Sequence, residues 1–228
     1  MESSEATIHH GDALEILPTL APMAYDLVVT DPPYVIGAVS AGNIGAKSGG
    51  WADMMNSAGW FRDWYAMVRR VLKVDGALWT FCNWRSLPVV MRAAIDSGFP
   101  VASVLVWDKQ WIGPGGPVGL RPTYELVALL PMPEFTVPNR GVEDIIRMKW
   151  TAAKPTGHPA EKPVALFRWL IETSGKGGGR ILDPFAGSGT VLAAGASLGC
   201  HVTAIEAEDR WVHLAANRPA QLSLGGVA

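Results

Sequence analysis

Arg180-Ile181-Leu182-Asp183-Pro184-Phe185-Ala186-Gly187-Ser188-Gly189-Thr190 runs from a short apolar stretch through a turn of small residues. It continues into Val191-Leu192-Ala193-Ala194-Gly195-Ala196-Ser197-Leu198, which suits a helix, and after Gly199 a second apolar run, His201-Val202-Thr203-Ala204-Ile205, ends in Glu206. Strand, glycine turn, helix and strand in that order form a βαβ unit, and the turn lets a ligand approach bare backbone. An acid at the tip of the second strand is placed to accept hydrogen bonds from ribose hydroxyls. The unit therefore predicts a nucleoside-bearing cofactor. A triphosphate is excluded, because Gly187-Ser188-Gly189-Thr190 lacks the lysine that a phosphate-binding loop carries before its Ser/Thr. The dinucleotide fingerprint is excluded too, since no third glycine falls at its spacing. A tight connection without function would account for the glycines, but poorly for Asp183, Gly187, Gly189 and Glu206 together.

Upstream, the apolar run Tyr25-Asp26-Leu27-Val28-Val29-Thr30 leads directly into Asp31-Pro32-Pro33-Tyr34. Two adjacent prolines fix their own φ and push each preceding residue out of the helical region, so this backbone is extended and stiff. The Asp31 carboxylate and the Pro32 carbonyl can accept the two hydrogens of an exocyclic amine, while the Tyr34 ring stacks on the planar base that bears it. The competing reading is a strand-terminating turn, for which Asp-Pro and Pro-Pro are ordinary punctuation.

Periodicity places these motifs on one sheet. Helices are expected over Ala13–Leu20, Trp60–Leu72, Leu87–Ser97 and Val164–Thr173, with Pro163 suited to the last one's first turn. Strands are expected at the N-terminus, where a first strand carries His9 and His10, and over Asp26–Thr30, Ala77–Cys82, Val101–Trp107, Tyr124–Leu130, Arg180–Leu182 and Val202–Ile205. Val101–Trp107 and Tyr124–Leu130 pair antiparallel through the Gly/Pro-rich connection Asp108–Pro122. The fold class is α/β: a doubly wound, mostly parallel sheet with one antiparallel hairpin, in a single domain over 1–228. Ligands in such sheets bind beyond the carboxyl ends of the strands, near the point where strand order reverses. Asp12, Asp31, Asp183 and Glu206 all fall at predicted carboxyl ends.

Composition sets outer limits. The chain has 228 residues, 49% of them hydrophobic and 18% charged, which favours one well-buried core over a disordered chain. Cys82 and Cys200 lie in apolar runs and are expected to be buried thiols, and no Cys/His cluster has metal spacing, so no metal site is predicted. No segment reaches the ~18 consecutive apolar residues of a membrane span. The start Met1-Glu2-Ser3-Ser4-Glu5 is too acidic for a signal peptide, so a cytoplasmic location is expected. The formal net charge is −2, so positive charge for a nucleic-acid partner must be local.

With both motifs in place the chain resembles the S-adenosylmethionine-dependent amino-methyltransferases of DNA, specifically their permuted β group. There a (Asp/Asn/Ser)-Pro-Pro-(Tyr/Phe/Trp) motif precedes the cofactor motif, as Asp31-Pro32-Pro33-Tyr34 precedes Asp183-Pro184-Phe185-Ala186-Gly187-Ser188-Gly189-Thr190 here. His158-Pro159-Ala160-Glu161-Lys162-Pro163 looks like the segment leading into the cofactor strand. Gly11-Asp12-Ala13-Leu14-Glu15 looks like the loop whose acid meets the cofactor's adenine. The resemblance spans about Ile8 to Arg218. It implies a Rossmann-like methyltransferase fold, with Asp31, Pro32, Pro33 and Tyr34 as catalytic residues. It implies S-adenosylmethionine as cofactor, S-adenosylhomocysteine as product, and double-stranded DNA as partner. Cofactor-binding residues implied are Asp12, Ala13, His158, Lys162, Asp183, Phe185, Ala186, Gly187, Ser188, Gly189, Thr190 and Glu206. Asp as leading residue favours N6 of adenine over N4 of cytosine. The cytosine enzyme and a non-catalytic nucleic-acid-binding partner of the same fold remain alternatives, and the residues allow a homodimer without specifying one. They leave open a setting in restriction–modification, phage self-protection or cell-cycle marking, in a bacterial or phage-infected cell.

Two stretches stand outside the sheet pattern. Ile36–Gly59 is rich in Gly, Ala, Ser and Asn and is expected to be a mobile loop, placed to cover the target base, with plain disorder as the alternative. Pro131–Pro159 carries Arg140, Arg147, Lys149, Trp150 and Lys154 against Glu134, Glu143 and Asp144, a mixture that suits phosphates and base stacking, with a solvated connection as the competing reading. Similar enzymes hold their target-recognition region in this interval, and it is short here, so relaxed or short target recognition is expected. Trp60, Trp64, Trp79, Trp107 and Trp169 are expected as packing mass, leaving Trp51, Trp111 and Trp150 as loop candidates for DNA contact.

Overall fold

The computed structural model describes residues 5–33, 58–113, 119–150, 156–157 and 161–224, with side chains as far as 218. In chain order the elements are β1 (Ala6–His10), α1 (Ala13–Ile16) continued by a 3-10 turn over Leu17–Thr19, and β2 (Tyr25–Thr30). Next come α2 (Ala58–Val71), β3 (Leu72–Cys82), α3 (Leu87–Asp96), β4 (Ser103–Asp108), β5 (Tyr124–Pro131) and β6 (Ile145–Arg147). The last are α4 (Val164–Thr173), β7 (Arg180–Asp183), α5 (Thr190–Ala196), β8 (His201–Glu206) and α6 (Asp209–Leu224). The eight strands make one sheet in the order β1-β8-β7-β2-β3-β5-β4-β6. β5 pairs antiparallel with both β3 and β4, and every other pairing is parallel.

Strand alternation divides the core between two faces. Val28, Leu78 and Cys82 pack on one face with Phe61, Trp64, Tyr65 and Val68 of α2 and Val90 and Ala94 of α3. Leu27, Val29, Trp79 and Phe81 pack on the other with Leu166, Phe167 and Leu170 of α4 and Val191 and Leu192 of α5. In α2 the buried residues Phe61, Trp64, Tyr65, Val68 and Val71 recur at helical spacing, so one stripe faces the sheet. Its guanidines are outside that stripe, and Arg70 reaches the Leu17 and Leu20 carbonyls at 2.8 and 2.7 Å. Both cysteines are free and buried, as expected.

The predicted hairpin of β4 and β5 is present with Trp107 opposite Glu125. Three elements differ from the sequence reading. β3 starts at Leu72 rather than Ala77, because Tyr25 pairs with Leu72 before a register shift brings Leu27 opposite Ala77. Lys73 on the extra residues closes that irregularity with an ion pair to Asp26 at 2.8 Å. The second difference is β6, a three-residue edge strand whose one buried side chain, Ile146, is too little for an alternating pattern. It takes part of the interval read as a recognition insertion into the sheet. The third is α6, whose apolar pattern is interrupted by polar residues and by Pro219. The loop expected over Ile36–Gly59 lies outside the described residues except for Ala58 and Gly59, which open α2.

Among the described residues no helix is long and apolar enough to cross a membrane. Nor do they contain a group of three or more His, Cys, Asp or Glu able to hold a metal ion.

Candidate active site

Strand order reverses between β7 and β2: the chain builds outward through β3 on one side and through β8 on the other. A crevice opens at such a point, beyond the carboxyl ends of the two strands. The residues there are Thr30 at the end of β2, Asp31 just after it, and Asp183 at the end of β7. Thr30 Oγ1 donates to Asp183 Oδ1 at 2.6 Å, and the Phe185 N–H donates to the same oxygen at 3.0 Å. Asp183 is 2% exposed. Burial pushes its carboxyl up to about 7, against the two hydrogen bonds and with the help of the Asp31 and Glu206 charges.

After Asp183 the chain turns through Gly187 and Gly189, both left-handed at φ +51° and +76°. The Gly187 N–H donates to Glu206 Oε2 at 2.7 Å, and the Glu208 N–H to Glu206 Oε1 at 2.8 Å. Each carboxylate oxygen keeps a further acceptor site. Asp12 lies beside them, because His10 pairs with Glu206 and the Gly11 N–H donates to the Glu206 carbonyl at 2.9 Å. Asp12 caps α1 by accepting from the Leu14 N–H at 2.7 Å, and Ala13 behind it is buried. Phe185 is half-buried against Trp60 and Trp64, with ring centroids 5.5 and 5.3 Å away.

Two carboxylates, Asp12 and Glu206, thus border a turn at which Gly187 is partly exposed, while Asp183 is buried beneath it. Such a rim repels phosphates and favours a ligand that offers hydroxyl donors and positive charge. A nucleoside carrying a sulfonium and an ammonium fits that donor set, whereas a nucleotide does not.

Not every residue of the turn faces the crevice. Ser188 is buried and turned to α6, where Arg218 donates to its carbonyl at 3.0 Å and lies 2.9 Å from its hydroxyl. Gly189 backs onto the same helix: an added Cβ would lie 2.8 Å from the Ala215 Cβ. Ala186 is buried and fixed by its N–H to the Ile205 carbonyl, and Thr190 Oγ1 donates to the Lys162 carbonyl at 3.4 Å. These four positions shape the turn from behind.

The segment before α4 contributes more than the sequence suggests. Glu161 forms a buried ion pair with Arg218 at 2.6 Å and accepts from the Thr156 hydroxyl. Lys162 does not reach toward the glycine turn. Its ammonium pairs with Asp31 and lies 3.3 Å from Glu125 on β5, which in turn pairs with Lys109 at 3.2 Å. Burial opposes the charge on Lys162, but Asp31 and Glu125 outweigh it and hold the amine well above the ordinary lysine range. Burial likewise pushes the Glu125 carboxyl up, and Lys162 and Lys109 more than offset it, leaving it below the usual carboxylate range. Burial, with Asp31 and Glu125 adding to it, pushes the Cys82 thiol up to about 12, so it is inert as a nucleophile at neutral pH. Sequence reasoning missed Glu125 and Lys109. An acid opening the otherwise apolar run Tyr124-Glu125-Leu126-Val127 was the available signal.

Of the basic and aromatic candidates, Arg147 and Lys149 are exposed at the crevice end of the sheet, since Arg147 pairs with Asp108 at the end of β4. Trp150 is half-buried, its ring centroid 4.5 Å from that of Trp111 and its N–H donating to the Lys109 carbonyl. Arg140 is not brought there. It follows a connection that runs past the amino ends of the strands, where the Glu134 N–H donates to the Val74 carbonyl and Pro138 meets Gly175. Trp84, 53% exposed just after β3, was not anticipated; Arg85 lies 5.2 Å over its ring. Tyr34, Trp51, Lys154 and His158 lie outside the described residues.

Known proteins share this fold. The DNA adenine methyltransferase YhdJ of Escherichia coli is 26% identical over 251 residues, covering 93% of this chain and 82% of its own. The crystal structure of the M1.HpyAVI–SAM complex superposes with a TM-score of 0.71 at 22% identity, covering 93% of this chain and 99% of that one. The cytosine-N4-specific PvuII DNA methyltransferase reaches a TM-score of 0.77 at 17% identity over 95% of this chain and 86% of its own. Both structures have the Rossmann-like methyltransferase fold seen here. The profile of a DNA methylase family matches residues 25–217, which include both the Asp31 strand and the glycine turn, and the chain belongs to that N6/N4 DNA methylase family.

Proposed function

We propose that this protein transfers a methyl group from S-adenosylmethionine to N6 of adenine in double-stranded DNA. The observation that carries the reading is the juxtaposition, at one switch point, of Asp31 on its stiff Pro32-Pro33 backbone with the carboxylate-rimmed turn of Asp183, Gly187 and Glu206. Glu206 and Asp12 would hold the hydroxyls and base of the nucleoside, and the Gly187 turn would admit its backbone-facing edge. When bound, S-adenosylmethionine supplies an electrophilic methyl on a sulfonium that already carries a good leaving group.

The protein's own task is to make an aryl amine nucleophilic. The N6 lone pair is delocalised into the ring until the amine hydrogens are bound and the nitrogen pyramidalises. Asp31 and the Pro32 carbonyl accept those hydrogens, and this preorganised pair stabilises positive charge developing on nitrogen. The fixed prolyl backbone holds that nitrogen in line, which removes an orientational cost. A base paired inside a duplex must first be rotated out, at a cost of ~a few kcal/mol. Tyr34, next in sequence, supplies the stacking ring in this reading.

Adenine is favoured by the leading Asp and by the relative whose name states adenine. The likeness to a cytosine-N4-specific enzyme supports the second reading, N4 of cytosine, whose amine is chemically alike. Nucleoside mass spectrometry of DNA from cells expressing the protein decides between them. N6-methyladenine is expected, and N4-methylcytosine alone would overturn the choice of base.

A further inference from the structure

Among the described strands β5 alone is reversed, and its reversal has a chemical consequence. Its first residues, rather than its last, lie at the crevice end, so Glu125 stands level with Trp107 near the end of β4. β3 separates β5 from β2, and Lys162 spans that gap with its ammonium 5.4 Å from the centre of the Phe81 ring on β3. One lysine therefore ties Asp31 to Glu125 across a strand, and Lys109 closes the far side. The Lys162, Asp31, Glu125 and Lys109 side chains are 8, 18, 20 and 11% exposed, so water screens this row little.

We infer that Lys162 and Glu125 are positioning residues for methyl transfer: Lys162, anchored by Glu125, keeps Asp31 ionised and in the rotamer that receives the target amine. This rests on the proposed transfer to a DNA amine and assigns the two residues a part in it. A carboxylate has about four acceptor sites, so Asp31 can accept from Lys162 and from the amine together. Without a fixed partner the carboxylate would rotate, and its oxygen would miss the narrow geometry an amine hydrogen requires. Lys162 thereby acts through Asp31, while its carbonyl, which accepts from Thr190, fixes the segment that carries it. Among the described residues, the charges and titratable groups around Asp31 include Lys162 before α4, Glu125 on β5, Lys109 after β4, Cys82 on β3 and Asp183 on β7.

The test compares the full-length protein with Lys162→Met, Lys162→Arg and Glu125→Gln in methyl transfer to DNA from pH 5 to 9. It adds calorimetry with S-adenosylhomocysteine and a ¹³C-carboxyl titration in which the Asp31 signal is assigned by its loss in Asp31→Asn. Lys162→Met should lower kcat about 100-fold at neutral pH and move the acid limb up by about one to three units. Its affinity for S-adenosylhomocysteine and its KM for DNA should stay within threefold of the parent. Lys162→Arg should restore the parental acid limb and keep kcat within about tenfold. Glu125→Gln removes a negative charge near Asp31 and should move the acid limb down; with Lys162 drawn from one side alone the Asp31 carboxylate is displaced from the amine, and kcat should fall about tenfold. Opposite shifts from two neighbouring substitutions are not the mark of general unfolding. The inference is overturned if Asp31 titrates at the same pH in Lys162→Met and the parent. It is equally overturned if Lys162→Met loses S-adenosylhomocysteine binding with an unchanged pH profile, which would make Lys162 a cofactor ligand. A parent that transfers no methyl group to DNA would refute the proposed activity, and the carboxyl titration would still decide the role of Lys162.

Discussion

Asp31 and Asp183 sit at adjacent strand ends yet carry opposite assignments, and environment separates them. Asp31 has a lysine for a partner; Asp183 has a hydroxyl, an amide and deep burial. Asp31→Ala should therefore reduce transfer by about 10²–10³-fold or more, the range for removing a preorganised group that meets developing charge. Affinity for S-adenosylhomocysteine should hardly change, and a parallel loss of binding would place Asp31 in the cofactor site instead. Asp183 makes a different prediction. Its folded-state carboxyl is raised from the ordinary 3.8 to about 7, so between those values the folded chain holds a proton that the unfolded chain has released. Stability then declines as pH rises through that window and levels off above it. Asp183→Asn should flatten this slope in urea titrations run from pH 4 to 8, and an unchanged slope would mean that another group sets it.

The glycine turn depends on α6, although no residue of that helix belongs to the cofactor motif. Gly189 is left-handed, and an added Cβ would strike Ala215 at 2.8 Å. Gly189→Ala should cost about 1–3 kcal/mol through overpacking, and Ala215→Gly should recover part of it in the double variant. Recovery measures the contact and non-recovery the backbone strain. The same helix supplies Arg218, whose guanidinium holds the Ser188 carbonyl and the Glu161 carboxylate in a pair that is 6% exposed on each side. Arg218→Met leaves Glu161 buried without that partner. A loss of about 3–5 kcal/mol is expected, together with weaker S-adenosylhomocysteine binding because the turn loses its support. Normal cofactor affinity in a destabilised Arg218→Met would show that the turn keeps its shape unaided.

Net charge does not draw this protein to DNA, so binding must rest on where its cations lie. Arg147 and Lys149 are exposed at the crevice end, with Trp84, Arg85 and Trp111 on neighbouring strand ends. Arg140 is at the other end of the sheet, which leaves fewer side chains near the site than the basic run implies. Each bidentate base contact gives ~1–3 kcal/mol of discrimination, and phosphate contacts position without specifying. Arg147→Ala and Lys149→Ala should each weaken binding about equally for all sequences, and each should reduce the salt slope by about 1. Methylation mapped across a genome exposed to the enzyme should follow a short or degenerate target. Confinement to one motif of five or more defined bases would contradict relaxed recognition.

Local patterns were enough to read much of this protein. Alternation and helical spacing identify β2, the β4–β5 hairpin, α2, α4 and the β7–α5–β8 unit, because each buries a continuous apolar face whose period survives in the sequence. Asp31, Asp183 and Glu206 were legible for a related reason: each polar residue follows an apolar run, which places it at a strand end. β6 and α6 were not legible, since Ile146 alone marks the one and polar residues with Pro219 interrupt the other. Neither was the row Lys109–Glu125–Lys162–Asp31, whose members come from four separate segments. Charges distant in the chain carry no shared period, and their pairing follows from strand order: only the sheet, with β5 reversed beside β3, brings an acid from a strand's start to face a lysine from a helix's approach.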